Sequence, residues 1–216
     1  MEAYEHTQKL AKVEEERKAA DDDDLFGELD KQADTALPAT LAKQSRPLII
    51  LDVQNIAMKH GRNQLFSTKG ITVAVDYWRT NEHKVIGFLP DYLFDYDKVN
   101  QMKAERQYGA KIKEQKCPDD VSVLCNLESE GVLVRTPAQD YDDSYCIDYA
   151  RRFDAFIVTN DRFRDYLEGQ KAKSGGDSEN ADMIGYRAEE KWLKSHLVSY
   201  TFRADEFLPN PDSKLW

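Results

Sequence analysis

Nowhere in these 216 residues does an apolar run approach the length of about 18 residues that a membrane-crossing helix needs. Cysteine is scarce: Cys117, Cys125 and Cys146 stand in no CxxC or other metal-ligand spacing. An odd number of them, behind an N-terminus (MEAYEHTQKL) with neither an apolar signal core nor an Arg-rich transit character, reads as reduced thiols of the cytosol or nucleus. Histidine is scarce as well. His6, His60, His83 and His196 are scattered, which argues against a His-based nucleophile relay; only His60 follows Asn55 closely enough to line a groove. Surplus positive charge is missing too. A net charge of −10 argues, on its face, against a polyanionic partner.

The charge is unevenly spread. Residues 1–45 hold 12 acids against 6 bases, a balance of −6, which leaves −4 for residues 46–216. Within that remainder the segment Lys98 to Lys116 carries Lys98, Lys103, Arg106, Lys111, Lys113 and Lys116 against Glu105 and Glu114. Such a segment suits phosphate binding, and equally a solvated helix face. The first 45 residues read as an acidic extension. A helix-forming run (HTQKLAKVEEERKAA) precedes DDDDLFGELDKQ, in which Leu25 and Phe26 sit among acids. High charge and few aromatics make it disordered on its own, a solubilising tail or an arm that docks on a protein partner. Residues 46–211 read as one domain and 212–216 as a tail.

From Arg46 onward apolar strand-length runs alternate with helical patterns. PLIILDV, KVIGFLP, VLVRTP, AFIVTN and LVSYTF read as strands. ITVAVDYWRTNEH has helical spacing, with Ile71, Ala74, Val75 and Trp78 on one face. VSVLCNLESEG reads as a helix ending at Gly131, YDDSYCIDYARRF and AEEKWLKSH as further helices, and GQKAKSGGDSENADM as a flexible loop. Strands alternating with helices predict an α/β fold of three layers around a mostly parallel sheet. Ligands of such sheets gather outside the carboxyl ends of the strands.

Carboxylates fall at those ends. Asp52 closes the first strand, with Asn55 just beyond it, and Asn160-Asp161 closes the fourth. Asp142-Asp143 opens the helix after the third strand, and Asp165 follows Asp161 by four residues, one helical turn on. Asp142, Asp143 and Asp165 each have a plain alternative as helix caps or first-turn acids. Acids gathered at one edge repel one another unless a cation sits among them. Mg²⁺ or Mn²⁺, hard ions held by oxygen, is the natural solution. A metal with open positions at a strand edge suits phosphodiester hydrolysis, which needs no Ser or His nucleophile.

At these residues the chain resembles the NYN-type PIN-like nucleases, and most closely the Regnase family of zinc-finger endoribonucleases. The resemblance runs in order over residues 47–211, through LDVQNIAMKHG, GITVAVDYW, VIGFLPDY, EGVLVRTP with YDDSY, FIVTNDRFRDY and LVSYTFRADEFLPNPD. It implies a Mg²⁺ site of Asp52, Asp143, Asp161 and Asp165, with Asp142 as a paired neighbour and Asn55 orienting a substrate phosphate. The implied activity is endonucleolytic cleavage of single-stranded RNA, leaving 5′-phosphate and 3′-hydroxyl ends. Departures accompany it. Val53-Gln54 stands where the family has a small Gly-Ser pair, and the loop TPAQDYDD lacks basic residues. RNA contacts are therefore expected from Arg62, Arg162, Arg164, Lys111 or Lys113. No Cys/His zinc finger follows the domain before Trp216, so targeting is expected from elsewhere or from a partner. A catalytically weak or inactive RNA- or protein-binding subunit is the alternative. A phospho-acceptor domain using Asp52 as nucleophile ranks last.

Overall fold

The computed structural model describes residues 46–107, 117–137, 142–173 and 179–216. The N-terminal extension and most of the basic segment beyond Gln107, Lys111 and Lys113 included, lie outside the described residues.

The central strand β1 (Ile49–Leu51) is apolar at every position because it is covered on both faces. It pairs in parallel with β2 (Val85–Pro90) on one side and β4 (Phe156–Val158) on the other. Outside these run β3 (Leu133–Thr136) and β5 (Leu197–Val198), giving a five-stranded parallel sheet in the order β3-β2-β1-β4-β5. Successive side chains serve opposite faces. Ile49, Leu51, Val85, Leu89 and Val158 join Ile56, Ile71, Trp78 and Leu124 in one core. Ile50, Ile86, Phe88 and Ile157 are buried on the other face, where the Phe88 ring meets Tyr145 and Tyr149.

Helices α1 (Val53–His60) and α2 (Thr68–Thr80) connect β1 to β2. A 3₁₀ turn (Asp91–Phe94), α3 (Tyr96–Gln107) and α4 (Val121–Ser129) connect β2 to β3. The chain returns through α5 (Asp142–Phe153) to β4, then through α6 (Arg164–Lys173) and α7 (Glu179–His196) to β5. Right-handed crossovers then place the outgoing and returning helices on opposite faces, so the α/β fold has three layers. Ile71, Ala74, Val75 and Trp78 of α2 are buried, as their spacing predicts. Helix α4 gives way to Gly131 at φ 70°, a left-handed conformation glycine adopts without strain. Strand order reverses between β1 and β4, which makes the crevice outside their carboxyl ends the topological switch point. Among the described residues no helix is long and apolar enough to cross a membrane.

Two elements differ from the sequence reading. LVSYTF is not one strand: β5 stops at Val198, and Tyr200–Arg203 forms β6, antiparallel to β7 (Glu206–Pro209). The chain leaves the sheet because the Asn160 side chain takes both backbone groups of Tyr200, at 3.1 and 3.0 Å. GQKAKSGGDSENADM is helical on both flanks, in α6 to Lys173 and in α7 from Glu179. Gln170, Lys171, Ala172 and Lys173 are good helix formers and carry α6 past Gly169, while Gly175 and Gly176 fall in sequence between the two helices.

Candidate active site

Where β1 ends the chain turns directly into α1, and Asp52 is the residue at that turn. Its Oδ1 accepts the Asn55 N–H at 3.1 Å, capping the helix, and its Oδ2 accepts the Thr159 hydroxyl at 2.6 Å. Thr159 follows β4, so this bond ties the two strand ends at the switch point together. The Thr159 oxygen also accepts the Asp161 N–H at 2.9 Å. Asp161 in turn accepts the Phe163 N–H at 2.8 Å, and Phe163, buried, holds φ 50°. The loop after β4 is thereby fixed from both sides.

Asp52, Asn55, Asp143 and Asp161 line one cleft of about 320 Å³, together with Val53, Gln54, Met58, Phe88 and Cys146. Asp143 arrives from the first turn of α5. Asp52 is only 9% exposed. Burial pushes its carboxyl up to about 7, with the negative charges of Asp143 and Asp161 adding to the rise and the Thr159 and Asn55 hydrogen bonds opposing it. The cleft is thus a place where a negative charge is costly until a positive one joins it.

Beside it, Asn55 Oδ1 accepts two hydrogen bonds, from the Tyr200 hydroxyl at 2.7 Å and the Asn160 N–H at 3.2 Å. A backbone N–H can only meet the amide oxygen, so the network fixes the orientation of the amide and leaves Nδ2 as its donor. Burial, and behind it the Asp52 charge, drives the Tyr200 phenol above its ordinary range, so it stays a donor.

Of the sequence candidates, Asp52, Asn55, Asp143 and Asp161 come together. Asp165 stands exposed in the first turn of α6 and is not among the cleft residues. The expectation that Asp161 and Asp165 share one helical face is corrected: α6 begins at Arg164, and Asp161 belongs to the preceding turn. Asp142 opens α5, and its side chain is outside those described. Arg62, Arg162 and Arg164 are exposed and stand outside the cleft lining, Arg62 in a left-handed turn after α1 at φ 58°. His60 is a strut, not a groove residue. It bonds Ser67 Oγ at 2.8 Å and Asp205 at 3.2 Å and packs edge-on to Phe202. Val53 is 1% exposed and lies against Gly87, where a Cβ would come within 2.4 Å of Val53 Cγ2. The sequence reading missed Thr159 and Tyr200. Thr159 carried a signal, a hydroxyl between the apolar strand and Asn-Asp; Tyr200 carried none, since it arrives from 40 residues beyond Asn160.

Residues 45–215 match the model of the Zc3h12a-like Ribonuclease NYN domain. The chain belongs to this family. The fold of this NYN domain is also similar to the crystal structure of nuclear proteinaceous RNase P 2 (PRORP2) from A. thaliana. That match has a TM-score of 0.48 and 18% identity, over 88% of this chain and 36% of that one. A second structure, of Arabidopsis thaliana nuclear protein-only RNase P 2 (PRORP2), matches at TM-score 0.48 and 19% identity, over 89% and 36%. The chain therefore spans about a third of the length of these structures.

Whether the NYN cleft suits a divalent cation is a matter of its donors. Among the described residues no three His, Cys, Asp or Glu side chains stand close enough to hold an ion by themselves. Mg²⁺ does not require such a cage. It keeps several waters and binds through one or two carboxylates plus substrate phosphates. Asp52, Asp143 and Asp161 offer hard oxygens on one open face, and the charges of Asp143 and Asp161 add to the burial that raises the Asp52 carboxyl. The donor set fits.

Proposed function

We propose that this NYN ribonuclease domain is a metal-dependent endoribonuclease that hydrolyses phosphodiester bonds in single-stranded RNA. The observation that supports the reading is the convergence of Asp52, Asp143 and Asp161, beside Asn55, in one cleft at the switch point of the sheet. One or two of the carboxylates of Asp52, Asp143 and Asp161, together with the substrate phosphate, would hold Mg²⁺ or Mn²⁺, which when bound lowers the pKa of a coordinated water and neutralises charge building on the phosphate oxygens. Asn55, its oxygen fixed by Tyr200 and Asn160, presents Nδ2 to a phosphate oxygen and sets the register of the RNA backbone. Thr159 keeps the Asp52 carboxylate and the Asp161 loop at a fixed separation, so the acids need no rearrangement when substrate arrives. Asp165, Asp142 and the exposed Arg62, Arg162 and Arg164 are proposed as outer contacts to the metal waters and to flanking phosphates, with Lys111 and Lys113 as further phosphate contacts. The acidic extension is proposed to dock on a protein partner, since its charge is ill suited to RNA.

A second reading, a weakly active or inactive NYN subunit that binds RNA or protein, is favoured by Gln54 in the cleft wall and by the lack of a closed ligand set among the described residues. Purified protein incubated with end-labelled single-stranded RNA, in Mg²⁺, Mn²⁺ or EDTA, separates the two. Metal-dependent internal cutting that vanishes in Asp161→Asn is the expected result. RNA binding without cutting in any metal would sink the catalytic reading.

A further inference from the structure

A second cavity, of about 330 Å³, is lined by Arg187, Glu190, Lys191, Lys194, Ser195 and Lys214. In a chain of net charge −10, four cations around one hollow with a single acid is the reverse of the background. Lys194 is engaged by Glu190 at 2.6 Å. Arg187, Lys191 and Lys214 have no acidic partner among the described residues. The plain account, cations gathered in the last turn of α7 by its dipole, covers Lys194 alone. Arg187 lies more than two turns before the helix end, and Lys214 comes from a different segment, beyond β7. Helical spacing of Arg187, Lys191 and Lys194 aligns three of the charges along one face.

The cavity shares no lining residue with the catalytic cleft. Helix α7 delivers the chain to the amino end of β5, with Ser195 two residues before that strand, whereas Asp52 and Asp161 follow the carboxyl ends of β1 and β4. Two residues along the chain from Lys214, Trp216 lays one face of its indole on Trp78, with ring centroids 6.0 Å apart at 15°, and its N–H donates to the Asn210 carbonyl at 3.2 Å. The ring is held in place yet 53% exposed.

We propose that this surface is an RNA exosite: the cations bind backbone phosphates of single-stranded RNA running beyond the catalytic cleft, and Trp216 stacks a base. Cations that hold the backbone and an open aromatic face that stacks bases are the two elements that bind single strands without reading sequence. Protein partners are disfavoured because none of the six lining residues is apolar, and protein interfaces draw most of their affinity from apolar or aromatic anchors seated in pockets. The inference rests on the ribonuclease reading for its choice of polyanion.

The test measures affinity of the full chain for a fluorescent 30-nucleotide oligouridylate by anisotropy, in EDTA, across a salt series. Lys191→Gln/Lys214→Gln removes two phosphate contacts. It should weaken binding about tenfold at low salt and flatten the slope of log affinity against log salt by about 1.4, at roughly 0.7 per phosphate on a single strand. Trp216→Ala should cost a further fivefold or more. Unchanged affinity and salt slope for the 30-mer would overturn the exosite. RNA affinity kept while poly-glutamate binding is lost would overturn it too, assigning the cavity to an acidic protein. Because binding is read in EDTA, a loss of affinity in the variant upholds the exosite even where the separate cleavage assay shows no cutting and the catalytic reading fails.

Discussion

The Thr159 hydroxyl donates to Asp52 at 2.6 Å while its oxygen accepts the Asp161 N–H at 2.9 Å. One buried side chain thereby couples the acid after β1 to the acid after β4. Thr159→Val keeps the shape and removes both bonds. Asp52 would lose the strongest interaction opposing its raised pKa, so its carboxyl should titrate above 7. Two unpaired buried groups predict a stability loss of about 1–3 kcal/mol in urea denaturation. The rate–pH profile of cleavage should move to higher pH, and Thr159→Ser should restore it. A stability loss with an unmoved profile would leave Thr159 a purely structural residue.

Asp52 itself gives a pH-dependent prediction whose sign is fixed. Its pKa rises from 3.8 in the unfolded chain to about 7 in the fold, so the native state holds the extra proton between those values. The contribution to stability is fully present below about pH 4 and is lost as pH rises towards 7. Asp52→Asn removes the charge and can keep the helix cap through its side-chain oxygen. Its melting temperature should match wild type near pH 3.5 and exceed it at pH 8, by an amount worth on the order of a few kcal/mol. Mg²⁺ should raise the wild-type melting temperature at pH 8 and leave Asp52→Asn nearly unmoved. Equal Mg²⁺ effects on the two would remove Asp52 from the metal site.

Tyr200 acts one step further out, through Asn55. Tyr200→Phe deletes one of the two donors on Asn55 Oδ1 and frees the amide to turn. Loss of one hydrogen bond, about 1 kcal/mol, predicts a roughly fivefold rise in KM with a smaller change in kcat. The pH profile should not shift, because Asp52 keeps Thr159 and the Asn55 N–H. A drop in kcat at constant KM would contradict the assignment of Asn55 to phosphate positioning.

The strands were legible because both sheet faces are covered, so PLIILDV and KVIGFLP announce themselves as unbroken apolar runs. Asp52 and Asp161 were legible for the related reason that a carboxylate closing such a run has no packing role. Tyr200 was not, because its contact with Asn55 spans 145 positions and depends on Asn160 pulling the chain out of the sheet. The break between β5 and β6 was hidden by the same side chain, which substitutes for a strand neighbour that no periodicity could reveal. Asp165 shows the opposite failure. Its spacing from Asp161 suggested a shared helical face, but the Asp161–Phe163 turn delays the helix to Arg164.

Val53 occupies a position where a small residue would leave the backbone beside the cleft open, and Gly87 explains how a larger one is tolerated. The Val53 side chain is buried against the bare α-carbon of Gly87 on the neighbouring strand, and a Cβ there would stand 2.4 Å from Val53 Cγ2. Gly87→Ala should therefore push Val53 and the start of α1 outward and destabilise the fold by about 1–3 kcal/mol. Asp52 precedes Val53 directly, so cleavage should fall more than stability alone accounts for. Val53→Ala removes the clashing methyl and should recover most of both losses in the double variant, at the cost of a small cavity in the single one. The measurement is a double-mutant cycle in urea denaturation and in cleavage rate. A coupling of at least 1 kcal/mol marks the two residues as one fitted unit, and simple additivity would show that Val53 reaches its position without help from Gly87.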